Sequence, residues 1–188
     1  MAAASKRAAV PAGVRRAYGE LDRTEVVAAL RNLASRLGVE RVTMRELAAE
    51  LGAAVPSVYY HVPGKRAALD LLAESVLADI PVPEAGRWDN RLIELYCAAR
   101  EVILAVPGVA RILQTSGGGE AARRLDRLSR SLIAEAGLAK AAAAAAHTVL
   151  YTYLLGSVTL EESRGRRQSA GRFRAGLDVI IAGIKEHQ

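Results

Sequence analysis

The stretch VTMRELAAELGAAVPSVYYHVPGK, residues 42–65, predicts two short helices separated by a tight turn. Thr43 followed by Glu46 has the spacing of a capping box, which begins a helix, and Gly52 is typical of a helix end. Pro56 suits the first turn of a second helix, which a Pro-Gly pair ends after about six residues. Two helices joined in this way indicate a helix-turn-helix motif.

The second helix of this pair is the segment expected to enter the DNA major groove. A helix this short cannot bury a full apolar face, so we expect Val58 to hold it against the helices behind. Neighbouring residues on a helix cannot all face the same way, so some of the aromatic side chains must point outward. The alternative is that they pack under the next helix. We expect DNA contacts from the Ser57 and Tyr59 hydroxyls, the Tyr60 ring, His61 and Lys65.

Positive charge is concentrated at the N-terminal end of the chain. The formal net charge is +6, and residues 1–66 carry 11 Lys and Arg against six Asp and Glu. Residues 1–21 are predicted to form a flexible arm, with basic residues at Lys6, Arg7, Arg15 and Arg16. A basic end favours a polyanionic partner such as DNA. A solvated tail that only aids solubility is the alternative.

The rest of the chain shows helical periodicity and no alternating strand pattern, which predicts an all-α fold. We expect a DNA-binding domain over residues 22–66, with Thr24 capping its first helix, and a ligand-binding and dimerisation domain over residues 67–188. The second domain would contain a connecting helix and five further helices. These are predicted at residues 89–106, 109–114, 121–136, 138–162 and 168–186.

Two features bear on the compartment of the protein. The N-terminus lacks the continuous apolar run of a secretory signal, so a cytoplasmic location is expected. Residues 141–160 contain no formal charge and could be taken for a membrane span, but six of them are alanine and several are polar. A helix inside a bundle or at a subunit interface fits that composition better.

The single cysteine, Cys97, is expected to be a small buried hydrophobe rather than a reactive thiol.

Residues 21–69 resemble the N-terminal domain of TetR-family transcriptional regulators. The resemblance rests on the capping threonine, the Tyr-Tyr-His run and the downstream lysine, in that order and spacing. It implies that Thr43 and Arg45 contact DNA and that Lys65 binds a phosphate. It also implies a recognition surface made of Val55, Pro56, Ser57, Tyr59, Tyr60 and His61.

The C-terminal part resembles the tetracycline-repressor branch of that family, through Trp88, LLGSVTLEE at residues 154–162 and FRAGLDVIIAGI at residues 173–184. The resemblance implies that the last two helices pair with those of a second subunit. A wide aliphatic stripe on the last helix supports this, although an intrachain core would show the same stripe. The predicted interface consists of Leu155, Thr159, Leu177, Ile180, Ile181 and Ile184, and Gly156, Gly176 and Gly183 would allow close helix approach.

The same resemblance implies a pocket for a small-molecule effector. The candidate lining residues are Leu92, Leu95, Tyr96, Ala99, Ile103, Ile112, Leu113, Gln114, His147, Tyr151 and Leu154. His147 could be either a ligand contact or a buried histidine satisfied within the core. Leu95 and Leu113 align with the asparagine and histidine that bind drug and magnesium in the tetracycline repressor. We therefore expect a mostly apolar effector and no binding of magnesium–tetracycline.

These features together predict a homodimeric repressor that binds a palindromic operator and leaves it when an effector shifts the connecting helix, residues 65–80. A regulator that responds to protein or DNA instead, or an activator, remains an alternative. We expect no enzymatic activity, cofactor or metal site. The three histidines are far apart in sequence, the chain contains no His-Glu-x-x-His, and the glycines at 117–119 lack the lysine of a phosphate-binding loop.

Overall fold

The computed structural model describes residues 21–116, 118–165 and 168–187, and over those ranges it contains nine α-helices, one 3-10 turn and no strand. The predicted all-α fold is therefore confirmed. Apart from residue 21, the predicted basic arm lies outside the described residues. The helices are α1 (Arg23–Leu37), α2 (Met44–Glu50), α3 (Val55–His61), α4 (Lys65–Ala78), α5 (Trp88–Leu104), α6 (Val109–Thr115), α7 (Glu120–Ala134), α8 (Lys140–Arg164) and α9 (Ala170–Lys185), and the 3-10 turn is Val39–Arg41.

The helix-turn-helix begins at the predicted residue. The Thr43 hydroxyl accepts a hydrogen bond from the Glu46 backbone N–H at 3.1 Å, which caps α2. Gly52 lies in the left-handed region at φ 60°, where a side chain would be strained, and this residue turns the chain from α2 towards α3. Pro56 occupies the first turn of α3 as expected. The local sequence thus determines both helix starts.

The predicted cap of α1 is wrong. Asp22, not Thr24, is the N-cap residue, because its backbone is extended (φ −83°, ψ 146°) and its carbonyl accepts the first helical bond from the Val26 N–H at 3.1 Å. The Asp22 side chain makes no capping hydrogen bond. Thr24 lies inside the first turn, where its side chain cannot cap the helix.

The connecting helix α4 belongs to both halves of the molecule. It packs against α1 on the DNA-binding side and against α5, α6 and α7 on the other side. Its buried residues Ala68, Leu72 and Val76 join one continuous apolar core that runs from α1 to α9. A movement of α4 relative to either half must therefore repack side chains in both. The predicted division between residues 66 and 67 falls at the start of this helix and stays a prediction.

A buried ion pair fixes the centre of the C-terminal half. Arg100 of α5 donates from Nε and from a terminal nitrogen to the two carboxylate oxygens of Glu161 on α8, at 3.0 and 2.7 Å. The same guanidinium donates to the Gln168 carbonyl at 2.7 Å and lies 5.3 Å from the Phe173 ring centroid. Both charged side chains are buried. This bidentate pair thus joins α5, α8 and the chain that leads into α9.

Helix α8 is the apolar segment noted in the sequence. By length and composition it could cross a membrane, with a mean hydropathy of 1.2 over its most apolar window, although one such helix is weak evidence for a membrane protein. Only 28% of that window is buried inside the subunit. Val149 and Leu160 of α8 and Val179 of α9 are exposed large hydrophobic residues. The single chain therefore leaves an apolar α8–α9 face uncovered.

We expect Arg100→Met to lower the free energy of unfolding by about 3–5 kcal/mol, because it leaves the Glu161 carboxylate buried without a cation. The double variant Arg100→Met/Glu161→Met should be more stable than either single variant, since no buried charge remains. Urea unfolding at one fixed protein concentration measures both effects.

The matched control is Arg36→Gln, which removes an ion pair with Glu50 that lies at the surface. This change should cost less than about 1 kcal/mol because water screens the pair. If Arg100→Met and Arg36→Gln cost the same, the buried pair does not organise the core.

Candidate nucleic-acid interface and ligand cavity

Helix α3 presents its aromatic residues to solvent. Val58 and the following Val62 are buried against the helices behind, whereas Tyr60 is 75% exposed and Tyr59 is 49% exposed. Val55 and Pro56 are exposed at the start of the helix, and His61 is half-buried with its ring 5.2 Å from that of Tyr60. Packing of the tyrosines under the next helix, the alternative left open by the sequence, does not occur.

Ser57 differs from the other residues predicted in the recognition surface, because it is buried. Ser57 lies four residues before the half-buried His61, so these two residues share one side of α3, next to the buried Val58. The expected donation from the Ser57 hydroxyl to a DNA phosphate therefore has no support in this arrangement. The outward surface of α3 instead consists of Val55, Pro56, Tyr59 and Tyr60.

Two exposed basic residues flank this surface. Arg45 is exposed in the first turn of α2, next to the capping residue Thr43, which is also exposed. Lys65 is exposed at the start of α4, and its ammonium donates to the Glu40 carbonyl at 2.9 Å. One hydrogen bond leaves two ammonium hydrogens available. Arg45, predicted to contact DNA, and Lys65, predicted to bind a phosphate, therefore lie on either side of α3 in sequence and remain accessible.

A cavity of about 510 Å³ lies in the C-terminal half, between α4, α5, α7 and α8. Eight of the eleven predicted lining residues contribute to its wall: Leu95, Tyr96, Ala99, Ile103, Leu113, His147, Tyr151 and Leu154. Leu92 and Ile112 instead pack in the core. The amide of Gln114 faces the surface and donates to the Thr159 hydroxyl at 3.2 Å. The cavity is within the size range of sites for drug-sized ligands.

Sequence reasoning missed the whole contribution of α7 to this cavity. The residues of α7 in the wall are Ala122, Arg123, Leu125, Asp126, Ser129 and Arg130. Ser129 is buried although it is polar, and Asp126 and Arg130 lie three residues before and one residue after it. Polar residues on the inward face of an amphipathic helix are the signal that could have identified this wall. Leu77 and Ile80 from the end of α4 were also missed.

The polar groups of the cavity form two hydrogen-bonded sets. The Tyr96 and Ser129 hydroxyls are 3.0 Å apart, and burial raises the pKa of Tyr96 to about 12 despite this hydrogen bond. In the second set, the Asp126 carboxylate accepts from Arg130 Nε at 2.9 Å, and its other oxygen lies 3.2 Å from His147 Nε2. The rest of the wall is largely apolar, so these groups are the polar features that a ligand would meet.

Burial lowers the pKa of His147 below its usual value of 6.5. The nearby Arg130 guanidinium lowers it further, while the Asp126 carboxylate opposes both effects. The imidazole is therefore neutral near pH 7. The histidine is buried and lies next to Asp126, and it also lines the cavity. A buried position in the core and a role as a ligand contact, the two interpretations left open by the sequence, are therefore compatible.

Helix α4 is tied to the end of α6, to the loop that follows and to the start of α7 by three polar contacts, which we call the α4 latch. Arg66 donates to the Thr115 carbonyl, the Ser116 hydroxyl donates to Asp70, and the Ala121 N–H donates to Glu74 Oε1 at 2.6 Å. Gly119 lies against the last of these contacts, because a Cβ there would be 2.0 Å from Glu74 Oε2. The latched loop also forms part of the cavity wall through Ser116 and Gly118.

The predicted dimer interface divides into buried and exposed residues. Leu155, Leu177, Ile181 and Ile184 are buried within their own subunit, as the intrachain alternative describes, and Leu155 also lines the cavity. Ile180 and Thr159 are half-buried. Gly176 makes room for Tyr153 of the same chain, since a Cβ there would be 2.0 Å from the tyrosine oxygen.

The uncovered α8–α9 face contains two of the predicted glycines, Gly156 and Gly183, but its large apolar side chains differ from the predicted ones. Val149, Gly156 and Leu160 follow one another at spacings of seven and four residues and so lie on one side of α8. Val179 and Gly183 are likewise four residues apart on α9. A Cβ at Gly156 or Gly183 would meet no atom of this subunit within 4 Å. This face is open to an approaching helix.

Comparisons with known proteins agree with both halves of this arrangement. Residues 26–72 match the family model for bacterial regulatory proteins of the tetR family, and residues 80–172 match the tetracyclin repressor-like C-terminal domain. The chain is 32% identical over 155 residues to an HTH-type transcriptional regulator of Saccharopolyspora erythraea. The match covers 80% of this chain and 65% of that relative.

Solved structures share the fold across both halves. BioQ in complex with its double-stranded DNA operator is 27% identical, with a TM-score of 0.79 over 89% of this chain and 100% of that one. A TetR variant from Acinetobacter baumannii in complex with minocycline is 29% identical, also with a TM-score of 0.79, over 89% of this chain and 98% of that one. An exposed reading helix, an internal cavity and these similarities lead to one conclusion: the chain belongs to the TetR family of transcriptional regulators, with an N-terminal DNA-binding part and a C-terminal ligand-binding part.

Proposed function

We propose that this protein is a homodimeric transcriptional repressor that binds a palindromic operator and is released from it by a small, mostly apolar effector. The observation that carries the proposal is the position of α4. This helix begins beside the exposed reading helix α3 and ends in the wall of the cavity, at Leu77 and Ile80 just beyond it. A ligand in the cavity would therefore contact the element that supports the DNA-binding surface.

On the DNA side, the exposed surface of α3 would read the major groove. The Tyr60 ring would contact a sugar or a thymine methyl, and Arg45 and Lys65 would bind at either side. The surface carries few side chains that could form bidentate hydrogen bonds to bases. Its specificity would therefore depend on apolar contacts, on Arg45 and on the spacing of the two half-sites.

On the ligand side, Leu95 and Leu113 support the expectation of an apolar effector. Both lie in the cavity wall, and neither supplies an oxygen or nitrogen that could bind a metal-chelated ligand. The volume of the cavity and the apolar walls of α4 and α5 are suited to a compact hydrophobic molecule with few polar groups. The effector would thus differ from magnesium–tetracycline.

The α4 latch supplies a route between the two sites. A ligand that displaces Ser116 or Gly118 would shift the partners of Arg66, Asp70 and Glu74 and so move α4. A second connection reaches the DNA-binding half directly, because Arg111 of α6 pairs with Glu40 at 2.6 Å. Effector binding would favour a state in which the two reading helices no longer match half-sites about 34–36 Å apart.

Dimerisation would bring the uncovered α8–α9 faces of two subunits together. A twofold interface pairs the same face of each chain, so Val149, Leu160 and Val179 would be buried against their counterparts. The small Gly156 and Gly183 would permit close approach. This arrangement also explains the low burial of the apolar window of α8 in one subunit.

Tyr60→Ala tests the reading helix. Because Tyr60 is mostly exposed, the variant should keep its melting temperature but lose about tenfold or more in affinity for an operator selected from a random DNA pool. Lys65→Ala should weaken binding to all sequences equally and reduce the salt dependence by about one released ion. Fluorescence anisotropy at several salt concentrations distinguishes the two effects, and unchanged operator affinity in Tyr60→Ala would refute the assignment of α3.

Val179→Glu tests the dimer face. Two like charges placed in an apolar interface should convert the protein to a monomer, as measured by analytical ultracentrifugation, and should weaken operator binding. Val82→Glu is the matched control, since Val82 is also an exposed valine but lies in the loop between α4 and α5. A Val179→Glu protein that stays dimeric would show that the interface lies elsewhere.

Gly119→Ala tests the α4 latch. The new methyl group forces the Glu74 carboxylate away from the Ala121 N–H, which should lower the free energy of unfolding by about 1–2 kcal/mol. The double variant Glu74→Ala/Gly119→Ala should lose little more than Glu74→Ala alone, because the two changes remove the same contact. Urea unfolding measures this double-mutant cycle.

Gly171→Ala is the control for the latch, because a Cβ at this helical position meets no atom within 4 Å. It should leave stability unchanged or raise it slightly. Additive losses in the Glu74 and Gly119 variants would contradict the direct contact, and unaltered operator affinity in both would contradict its role in positioning α4.

A further inference from the structure

We infer that the effector carries a hydroxyl group that donates a hydrogen bond to Nδ1 of His147 inside the cavity. This inference rests on the proposed function of the cavity and specifies the chemistry of its ligand. It assigns His147 as the polar anchor, Asp126 as the residue that sets the tautomer of its ring, and the apolar walls of α4 and α5 as the surface for the ligand body.

The contact with Asp126 determines which ring nitrogen carries hydrogen. His147 Nε2 lies 3.2 Å from Asp126 Oδ1, and because lone pairs on both atoms would repel at this distance, the neutral ring is favoured with its hydrogen on Nε2. In the neutral imidazole, Nδ1 then holds a lone pair and is an acceptor. The ring thus presents to its surroundings a hydrogen-bond acceptor and no second donor.

The surroundings of the ring favour this neutral form. The other oxygen of Asp126 accepts from Arg130 Nε at 2.9 Å, so the carboxylate already has a cationic partner on α7. Burial and the positive charge of Arg130 both lower the pKa of His147. The imidazole therefore lies beside the Asp126 carboxylate in its neutral form.

The acceptor nitrogen is available to a ligand. Nδ1 of His147 has no hydrogen-bond partner among the described residues. It is also not among the described side-chain atoms that are fully buried and lack a partner. The atom is therefore accessible, and His147 is one of the residues that line the cavity. The neighbouring Thr148 hydroxyl, in contrast, donates to the Ala144 carbonyl at 3.0 Å.

The identity of the ligand group follows from what would satisfy this nitrogen. A purely apolar molecule, or one with only carbonyl or ether oxygens, would cover Nδ1 and leave its lone pair without a donor. A hydroxyl would supply that donor while the rest of the molecule packs against Leu77, Leu95 and Ile103. An unpaired buried acceptor weakens binding by about tenfold to a hundredfold, which is the selectivity we expect.

Three probes with the same aromatic body test the inference: biphenyl, 4-phenylphenol and 4-methoxybiphenyl. Only the phenol can donate a hydrogen bond, and the other two are respectively smaller and larger than it. Equilibrium dialysis with the full chain at pH 7.5 gives the ratio of their affinities. The affinity of the phenol relative to that of either other probe should be about tenfold or more higher in the unaltered protein than in His147→Leu. Comparing the same probes on two proteins cancels their differences in hydration.

Gln114→Leu is the matched control. It also replaces a polar side chain by leucine in the C-terminal half, but Gln114 faces the surface and not the cavity. The variant should show the same preference for the phenol as the unaltered protein. Equal loss in Gln114→Leu and His147→Leu would overturn the assignment of His147.

The pH dependence in the unaltered protein provides a second readout that needs no substitution. Above pH 6.5 the neutral ring should favour the phenol, and this preference should disappear as the pH falls through the lowered pKa of His147, because the imidazolium cannot accept. The phenol itself ionises only near pH ~10, as tyrosine does. The charged or titratable side chains that share the cavity with His147 are Tyr96, Arg123, Asp126, Arg130 and Tyr151.

The outcomes separate the inference from the proposed function. Binding of all three probes with the same ratio in the unaltered protein and in His147→Leu would overturn the inference and leave the apolar cavity as a ligand site. Failure of all three to bind would overturn the inference together with the effector part of the proposed function. Operator affinity, measured on the same samples without probe, tests DNA binding separately.

Discussion

A helix of seven residues is too short to persist in water by its own hydrogen bonds, and this constraint governs the DNA-binding half. Helix α3 exists because Val58 and the adjacent Val62 are buried against the core. Every side chain that is not needed for this support is free to face outward, which places Tyr59 and Tyr60 at the surface. The position of the recognition surface therefore depends on the helices behind it, and a shift of those helices moves the whole surface.

Helix α4 follows α3 in the chain, packs against α1 of the DNA-binding half and also reaches the other half. Its packing against α1 and against α5–α7 makes the two halves share one core, so they cannot move independently at this point. The α4 latch adds polar contacts to the loop that lines the cavity. In such an arrangement a ligand needs no long pathway, because the cavity wall includes the end of α4, and α4 packs against α1 of the DNA-binding half.

The cavity combines an apolar wall with a small hydrogen-bonded cluster. The Asp126–Arg130 ion pair is partly exposed to solvent, and the buried His147 ring lies 3.2 Å from its carboxylate. Such pairing fixes the direction of each remaining donor or acceptor. A pocket of this kind selects for one or two polar groups on an otherwise hydrophobic molecule, which is a different chemistry from that of a metal-chelating site.

Local sequence signals were sufficient to predict the helices and the helix-turn-helix motif. The capping pattern at Thr43, the glycine stops and the Tyr-Tyr-His run act within a few residues. The bounds of α2 and α3, and the outward position of most residues of the proposed recognition surface, could therefore be predicted. Tertiary structure decided the rest. It buried Ser57, placed α7 in the cavity wall, paired Asp126 with His147, and turned Leu177 and Ile181 into the core of their own subunit. The reason is physical: a helical period shows which residues share a face, but which partner covers that face depends on contacts between residues that are far apart in the chain.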